Sequence, residues 1–301
     1  MASKHSRSFF DFRKSEYLKS GDSKLSSVPL YVKIIISVLV VSLAISCVFI
    51  SNFFIEGNRN KKLLSKSQQV FNSMPSGDAI RSLAEENDEI KGWIRINGTE
   101  IDCAVCHGED NKFYTNHNQL GKKSRYGALF LSSDDSFERD GNDKNIVIYG
   151  NNMKDGSMFG GLKNYRNLRF YKSHPFINLY YGDKSETYVV FAVLILPAVD
   201  SKDEYYSPLI NNFGNETDFK NWYNESCLRS IISTTVDVQN GDDILTLITS
   251  APDFDGARLG VLAKKIDEWG AARTDVSGAK VNANPKYPIA WYKENSLDYP
   301  Y

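Results

Sequence analysis

The sequence predicts a mainly β domain, either a barrel or a sandwich with peripheral helices, that follows one N-terminal transmembrane helix. Short segments rich in β-branched residues recur between Trp93 and Lys264, and only two clear helical stretches lie between them. Helices that are few and do not alternate with strands argue against a doubly wound α/β sheet. A single long uncharged segment near the N-terminus predicts the membrane helix.

The composition excludes several classes of protein. Hydrophobic residues make up 42% and aromatic residues 13% of the 301 residues, which is too apolar for a disordered or collagen-like chain. The 36 basic and 37 acidic residues leave a net charge of −1, so the overall charge gives no reason to expect nucleic acid as a partner. Four cysteines are too few for a scaffold built from disulfides.

The uncharged segment runs for 22 residues from Ile34 to Ile55. At about 1.5 Å per residue it forms roughly 33 Å of helix, enough to cross a hydrocarbon core of about 30 Å. A cleaved signal peptide has a shorter apolar region and a shorter charged lead, so we interpret the segment as an anchor. Seven basic and three acidic residues precede it, and the positive-inside rule then predicts a cytoplasmic N-terminus and an extracellular C-terminal domain.

The remaining chain divides into segments of different composition. Residues 56–78 are polar, with a possible short helix at Leu63–Phe71 and a break at Pro75, and are interpreted as a stalk. Beyond Trp269 the hydrophobic periodicity is lost. The predicted organisation is a cytoplasmic basic segment (1–33), a transmembrane anchor (34–55), a stalk (56–78), a folded domain (79–269) and a C-terminal extension (270–301).

The elements of the folded domain are predicted in chain order. Asp78 is a candidate N-cap for a helix at Ala79–Glu86, and Asn97-Gly98 is the signal of a tight hairpin between the first two strands. Helices are expected at Ser157–Tyr165 and Thr217–Ile232. The strands are expected at Trp93–Ile96, Glu100–Val105, Ala128–Leu131, Asn145–Tyr149, Phe176–Tyr181, Glu186–Leu196, Ile244–Thr249 and Leu259–Lys264.

Residues 245–265, LTLITSAPDFDGARLGVLAKK, contain the strongest functional signal. One strand ends at Ser250 and the next begins at Arg258 after a short connection, so an antiparallel pair would place a hydroxyl beside a cation at one end of a sheet. Taken alone, this pattern is also typical of an ordinary hairpin with a polar mouth.

The same segment resembles the signature strand of sortases, T-L-x-T-C followed by arginine, with the spacing of some class B members. Thr246-Leu-Ile-Thr249 and Arg258 match, and Ser250 stands at the cysteine position. The second sortase motif, a strand followed by Y-G-H-N-M, is similar to Tyr149-Gly-Asn151-Asn-Met153, with Asn151 at the histidine position. The similarity covers about residues 79–266 and implies a sortase-type closed eight-stranded β-barrel with peripheral helices.

The resemblance also implies a mechanism and its partners. In sortases a thiolate attacks a carbonyl of a sorting-signal peptide, an imidazolium protonates the leaving amine, and an arginine steadies the substrate or the oxyanion. A peptidoglycan precursor then resolves the thioester at the Gram-positive cell wall. By this alignment Asn151, Ser250 and Arg258 occupy the catalytic positions, and Tyr149, Ile248 and Thr249 are candidate substrate contacts; no metal or other cofactor is expected.

Two of the three catalytic positions carry residues that are unsuited to that chemistry. A serine hydroxyl needs an adjacent base, and an asparagine amide carries no proton at a useful pH. Loss of one general acid–base costs about 10²–10⁴ in rate, and loss of a whole catalytic unit costs on the order of 10⁶. The sequence therefore predicts a catalytically inactive relative of the class B sortases.

Other residues offer little replacement for the missing base. His5 is predicted to be cytoplasmic, and His117 and His174 match histidines that class B relatives carry away from the active centre. His107 follows the first hairpin, while Asp253 and Asp255 follow Ser250 and are expected to be solvated.

Cys103-Ala-Val-Cys106-His107 satisfies the C-x-x-C-H pattern of c-type haem attachment. Haem attachment starts a helix, whereas this segment is predicted to be a strand, where residues three apart face opposite sides. We therefore expect ordinary strand cysteines.

Three functional hypotheses follow. The first is a non-catalytic sortase homologue that binds sorting-signal peptides or cell-wall precursors. The second is an active peptidase or transpeptidase with Ser250 as its nucleophile. The third is an extracytoplasmic redox protein that uses Cys103 and Cys106.

Overall fold

The structure is a computed structural model, and it describes residues 28–138, 144–197, 206–210, 213–267 and 269–301. Most of the predicted basic segment, including His5, lies outside the described residues. The described chain divides into two units, one that ends at Arg59 and one that begins at Asn60. The helices are α1 (Leu30–Ser73), α2 (Ser76–Ala84), α3 (Leu168–Ser173), α4 (Glu216–Arg229), α5 (Gly270–Arg273) and α6 (Ile289–Glu294).

The second unit is built on a closed eight-stranded β-barrel, as the sequence predicts. Its strands are β1 (Ile90–Arg95), β2 (Asp102–Cys106), β3 (Leu129–Leu131), β4 (Asn145–Tyr149), β5 (Phe176–Tyr181), β6 (Lys184–Leu196), β8 (Ile244–Ser250) and β9 (Arg258–Ile266), with β7 (Ile232–Ser233) and β10 (Lys280–Val281) forming a separate two-stranded sheet. Neighbouring strands follow the order β1-β2-β3-β4-β8-β9-β6-β5 around the barrel.

The barrel interior is filled by the inward-facing side chains of its strands. Alternation along each strand explains this, because residues i and i+2 share a face. Ile94, Ile148, Leu247 and Val261 belong to this barrel core, and each is at most 1% exposed. The β2–β3 and β4–β8 pairs are parallel, and the remaining barrel pairs are antiparallel.

Helix α1 contains the predicted anchor and passes the length and composition test for a membrane span. The candidate span is therefore part of a longer helix, which continues through the helix predicted at Leu63–Phe71 as far as Ser73. Its last turns pack against the barrel, since Ser67 and Phe71 are buried there. The compact unit begins at Asn60, within the predicted stalk.

Other helix boundaries also differ from those predicted. Helix α2 begins after Pro75, so Asp78 lies in its first turn and binds Arg81 instead of capping the helix. The stretch predicted at Ser157–Tyr165 is a 3-10 helix at Gly160–Arg166 that leads into α3. The observed strand boundaries agree with the predicted ones to within a few residues, because the alternation that marks a strand is a local pattern. The start of a helix also depends on backbone conformation, which a proline such as Pro75 restricts.

Candidate functional site

Three strands of the barrel bring the predicted catalytic positions to one rim. β4 and β8 are parallel neighbours with Tyr149 opposite Ile248, so both strands end at the same edge. β9 returns antiparallel to β8, and Ser250 pairs with Arg258 in the register. The predicted adjacency of Ser250 and Arg258 is therefore confirmed, and Asn151 follows β4 at the same rim.

Hydrogen bonds fix the backbone of this rim. The Gly150 amide donates to the Ile248 carbonyl (3.1 Å), and the Thr249 hydroxyl donates to the Gly150 carbonyl (2.7 Å). The Asn152 side-chain amide donates to the Ser250 carbonyl (2.9 Å). The loop after β4 is thus joined directly to the end of β8.

The candidate substrate contacts differ in exposure. Ile248 packs in an apolar cluster with Phe191 and Leu262, and it is buried. Thr249 is buried too, with its hydroxyl held by Gly150. Tyr149 is half-buried, and burial raises the pKa of its phenol while the nearby Arg258 charge lowers it. Contact of these residues with a substrate stays a prediction.

Ser250 and Arg258 present unengaged polar groups at the rim. The Ser250 side chain is exposed, and its hydroxyl has no hydrogen-bond partner among the described residues. The half-buried Arg258 guanidinium forms no ion pair with any residue in the described ranges. A hydroxyl and a cation are thus available to an incoming ligand, and no base in the described part of the chain is hydrogen-bonded to the Ser250 hydroxyl.

Asn151 is tied to a different segment of the chain. Its side-chain amide donates to the carbonyls of Thr115 (2.8 Å) and Tyr126 (3.2 Å). Gly127 allows this approach: it has a φ of +65°, and a Cβ there would lie 2.8 Å from the Asn151 amide nitrogen. The amide therefore anchors the loop over residues 115–127 and supplies no proton-transfer group.

The histidines in the described residues have structural surroundings. The His117 ring stacks on Phe113 at 4.0 Å and bonds its carbonyl (2.8 Å), and His174 stacks on Phe170 at 4.3 Å. His107 follows β2, whose end lies at the opposite rim of the barrel from Ser250. No hydrogen bond joins any of these three rings to Ser250 within the described ranges.

Asp253 is not a solvated carboxylate, contrary to the expectation from sequence. Both of its oxygens bond to the Arg166 guanidinium, at 3.0 and 2.5 Å, and only 12% of the Asp253 side chain is exposed. Asp255 is exposed, as expected. The sequence contains no signal for the Arg166–Asp253 ion pair, because the two residues lie 87 positions apart and neither belongs to a recognisable motif.

Cys103 and Cys106 are ordinary buried strand cysteines. Cys103 lies in the barrel core, and Cys106 lies outside the barrel wall in a cluster with Trp93 and Tyr114. Both thiols are free, and burial raises the pKa of each to about 12. Opposite faces and high pKa values are unfavourable for a disulfide or a reactive thiolate.

Known proteins were compared with the chain by sequence. No family model matches it. Sortase B of Listeria monocytogenes is 32% identical over 191 residues, which cover 63% of this chain and 74% of the relative. Sortase B of Staphylococcus aureus is 28% identical over 244 residues, which cover 78% of this chain and 97% of the relative.

The chain belongs to the sortase B family. Solved structures of sortase B show the same fold. A Clostridium perfringens sortase B in which one cysteine is replaced by serine matches with a TM-score of 0.62 and 31% identity, over 69% of this chain and 98% of that one. An S. aureus sortase B–substrate complex matches with a TM-score of 0.64 and 26% identity, over 71% of this chain and 99% of that one.

Proposed function

We propose that this sortase B homologue is a non-catalytic, membrane-anchored protein that binds sorting-signal peptides or cell-wall precursors at the rim formed by Asn151, Ser250 and Arg258. The observation that carries the proposal is the environment of Asn151. Its amide donates to three backbone carbonyls, and no base among the described residues is hydrogen-bonded to the Ser250 hydroxyl.

The same rim retains what binding requires. Arg258 offers a guanidinium that forms no ion pair within the described ranges, and charge-assisted hydrogen bonds from such a group are stronger than neutral ones. Ser250 adds an exposed hydroxyl, which can donate to or accept from a peptide backbone. The S. aureus relative was solved with a substrate bound, which supports peptide binding on this fold.

The two alternatives have weaker support. An active enzyme with Ser250 as nucleophile needs a base to remove the hydroxyl proton, and no base in the described part of the site is hydrogen-bonded to that hydroxyl. A redox role for Cys103 and Cys106 requires thiols that approach each other, whereas these two face opposite sides of β2.

Anchoring in the membrane is part of the proposal. Residues 34–55 would span the bilayer within α1, with the basic N-terminal segment inside and the barrel outside the cell. Such a protein would hold peptides at the cell surface without joining them to the wall.

Binding and turnover can be measured together on the full-length protein in detergent. The probes are a fluorescein-labelled peptide with the sorting signal used by S. aureus sortase B and a library in which that signal is randomised. We expect saturable binding by fluorescence anisotropy and no cleavage by mass spectrometry. Cleavage by the unmodified protein that disappears in Ser250→Ala would overturn the non-catalytic assignment. If none of the peptides binds to the protein, the proposed binding role is wrong.

Arg258→Gln identifies the binding surface. Loss of one charge-assisted hydrogen bond, about 1.5–3 kcal/mol, weakens affinity about 10- to 100-fold. Arg273→Gln is the matched control, because Arg273 is exposed on α5 and paired with the equally exposed Asp267. The affinity of the Arg273→Gln variant for the labelled peptide should equal that of the unmodified protein.

A further inference from the structure

The segment that follows β4 closes on itself beside the rim. The Phe159 amide donates to the Asn151 carbonyl (3.0 Å), which brings the two ends of this loop together. Gly160 makes the closest approach, because a Cβ added there would collide with the Met153 carbonyl oxygen. Residues 151–166 therefore form one compact segment, in which the loop after β4 is joined to the 3-10 helix that follows it.

Two side chains of this segment reach the chain at the end of β8. The Asn152 amide donates to the carbonyl of Ser250, the last residue of that strand (2.9 Å). The Arg166 guanidinium donates to both carboxylate oxygens of Asp253, at 3.0 and 2.5 Å. The segment after β4 thus holds the chain at Ser250 and again at Asp253.

The loop held in this way comprises residues 251–257 and joins β8 to β9. The Ala251 amide donates to the Ala257 carbonyl (2.9 Å), and the Ala257 amide donates to the Phe254 carbonyl (3.0 Å). These bonds close the loop on itself but do not connect it to the segment after β4. The two bonds to Asp253 supply that connection.

The Arg166–Asp253 ion pair is largely shielded from water. Only 12% of the Asp253 side chain and 32% of the Arg166 side chain are exposed. Charges interact more strongly where water is excluded, and a guanidinium that binds both oxygens of a carboxylate fixes its orientation as well as its distance. This pair is therefore suited to restrain a loop, whereas a fully exposed ion pair contributes little.

We propose that Arg166 and Asp253 are positioning residues of the rim: their ion pair holds the loop over residues 251–257 against the segment after β4, and thereby keeps Ser250 and Arg258 in place for a ligand. The effect on ligand affinity rests on the proposed peptide-binding function, whereas the restraint of the loop does not. Neither side chain needs to touch the ligand, since both act through the loop.

Reversal of the charges tests the restraint without any ligand. Arg166→Glu and Asp253→Arg each place like charges together, so each should raise hydrogen–deuterium exchange at residues 251–257 about tenfold in the full-length protein in detergent. The double variant restores opposite charges and should recover most of the protection, because the two residues are coupled. Unchanged exchange at 251–257 in both single variants would overturn the proposal, as would a double variant that exchanges as fast as the single ones.

A milder variant covers the case in which charge reversal unfolds the protein, which faster exchange throughout β4 and β8 would reveal. Asp253→Asn removes one charge and keeps the shape of the side chain, so it should raise exchange at 251–257 while both strands stay protected. Exchange at 251–257 equal to that of the unmodified protein would contradict the proposal.

Asp242→Asn is the matched control. Asp242 pairs with Lys264 at 2.8 Å, with 25% and 21% of the two side chains exposed, and it precedes the other end of β8. The same substitution in a similarly buried ion pair should therefore leave exchange at 251–257 unchanged.

Affinity for the fluorescein-labelled peptide separates this proposal from the function on which it rests. We expect about a tenfold loss in Asp253→Asn and no change in Asp242→Asn. The charge-reversed double variant keeps the net charge of the protein and should recover affinity. Faster loop exchange with unchanged affinity would refute the positioning of the rim. If the unmodified protein binds no peptide while the exchange results hold, the proposed function fails and the restraint of the loop stands.

Discussion

At the scale of single residues, Asn151 takes part in the hydrogen-bonded frame of the rim, while the exposed Ser250 hydroxyl has no hydrogen-bond partner among the described residues. The amide of Asn151 satisfies the carbonyls of Thr115 and Tyr126, which is a structural task that needs only donors. An imidazole at this position would exchange one of those bonds for the ability to carry a proton. Arg258 would remain available in either case.

The first prediction is that Asn151→His combined with Ser250→Cys produces peptide cleavage. The pair would place a thiol and an imidazole at one rim with Arg258, and we expect a rate about 10² or more above that of the unmodified protein. Each single substitution should stay at background, because members of one catalytic unit act together. Cleavage is measured by mass spectrometry of the peptide library.

Arg258→Gln in the double variant serves as the control and should reduce the restored rate. Equal cleavage by Ser250→Cys alone would contradict the prediction, since it would show that another group of the protein already supplies the proton.

At the scale of elements, the end of α1 belongs to the barrel unit. The Phe71 ring stacks on Trp93 of β1 at 4.4 Å, and the Gln68 amide donates to the carbonyl of Asp102 in β2 (3.0 Å). Asp102 in turn accepts from the Trp93 indole (2.7 Å) and pairs with Arg95 (2.7 Å). Through these contacts the last turns of α1 cover the first hairpin, which β1 and β2 form.

The second prediction concerns this cover. Phe71→Ala should lower the free energy of unfolding by about 3–5 kcal/mol, because it removes a buried aromatic ring that stacks on Trp93 and leaves a cavity. Urea unfolding of the full-length protein, followed by tryptophan fluorescence, measures the change. Met74→Ala is the control, since Met74 is 39% exposed, and a change beyond about 0.5 kcal/mol is not expected there. Similar losses in both variants would show that Phe71 does not secure the hairpin.

At the scale of the whole molecule, the distribution of charge and apolar length predicts a single-pass protein. The candidate span is exposed along its apolar side chains, as a helix surrounded by lipid would be, and residues 1–33 carry a basic excess. The orientation follows from this excess and is an expectation about the cell rather than a property of the fold.

The third prediction is that protease added to intact, wall-stripped cells degrades the chain beyond Ile55 and spares an N-terminal tag. Immunoblots against tags at both ends measure the result, and permeabilised cells, in which both tags should be lost, provide the control. Protection of the C-terminal tag in intact cells would reverse the orientation.

The resemblance to sortases predicted a closed barrel rather than a sandwich, whereas the strand pattern by itself determined the mainly β class and the neighbouring positions of Ser250 and Arg258. Both depend on alternation along strands and on a short connection, which are local properties of the chain. By resemblance to the sortase motifs it also predicts that Asn151 and Ser250 stand at two catalytic positions of the family.

Only the tertiary structure decided which groups are engaged. Arg166 and Asp253 form an ion pair although 87 residues separate them in the sequence. Phe71, from the polar segment predicted to be a stalk, stacks on Trp93. Tyr287, from the C-terminal extension, packs against the barrel core. Contacts between distant segments depend on the arrangement of every element between them, and local patterns do not encode them. The sequence therefore identified the residues of the rim, and the fold determined which of them are bound by the protein and which are open to a ligand.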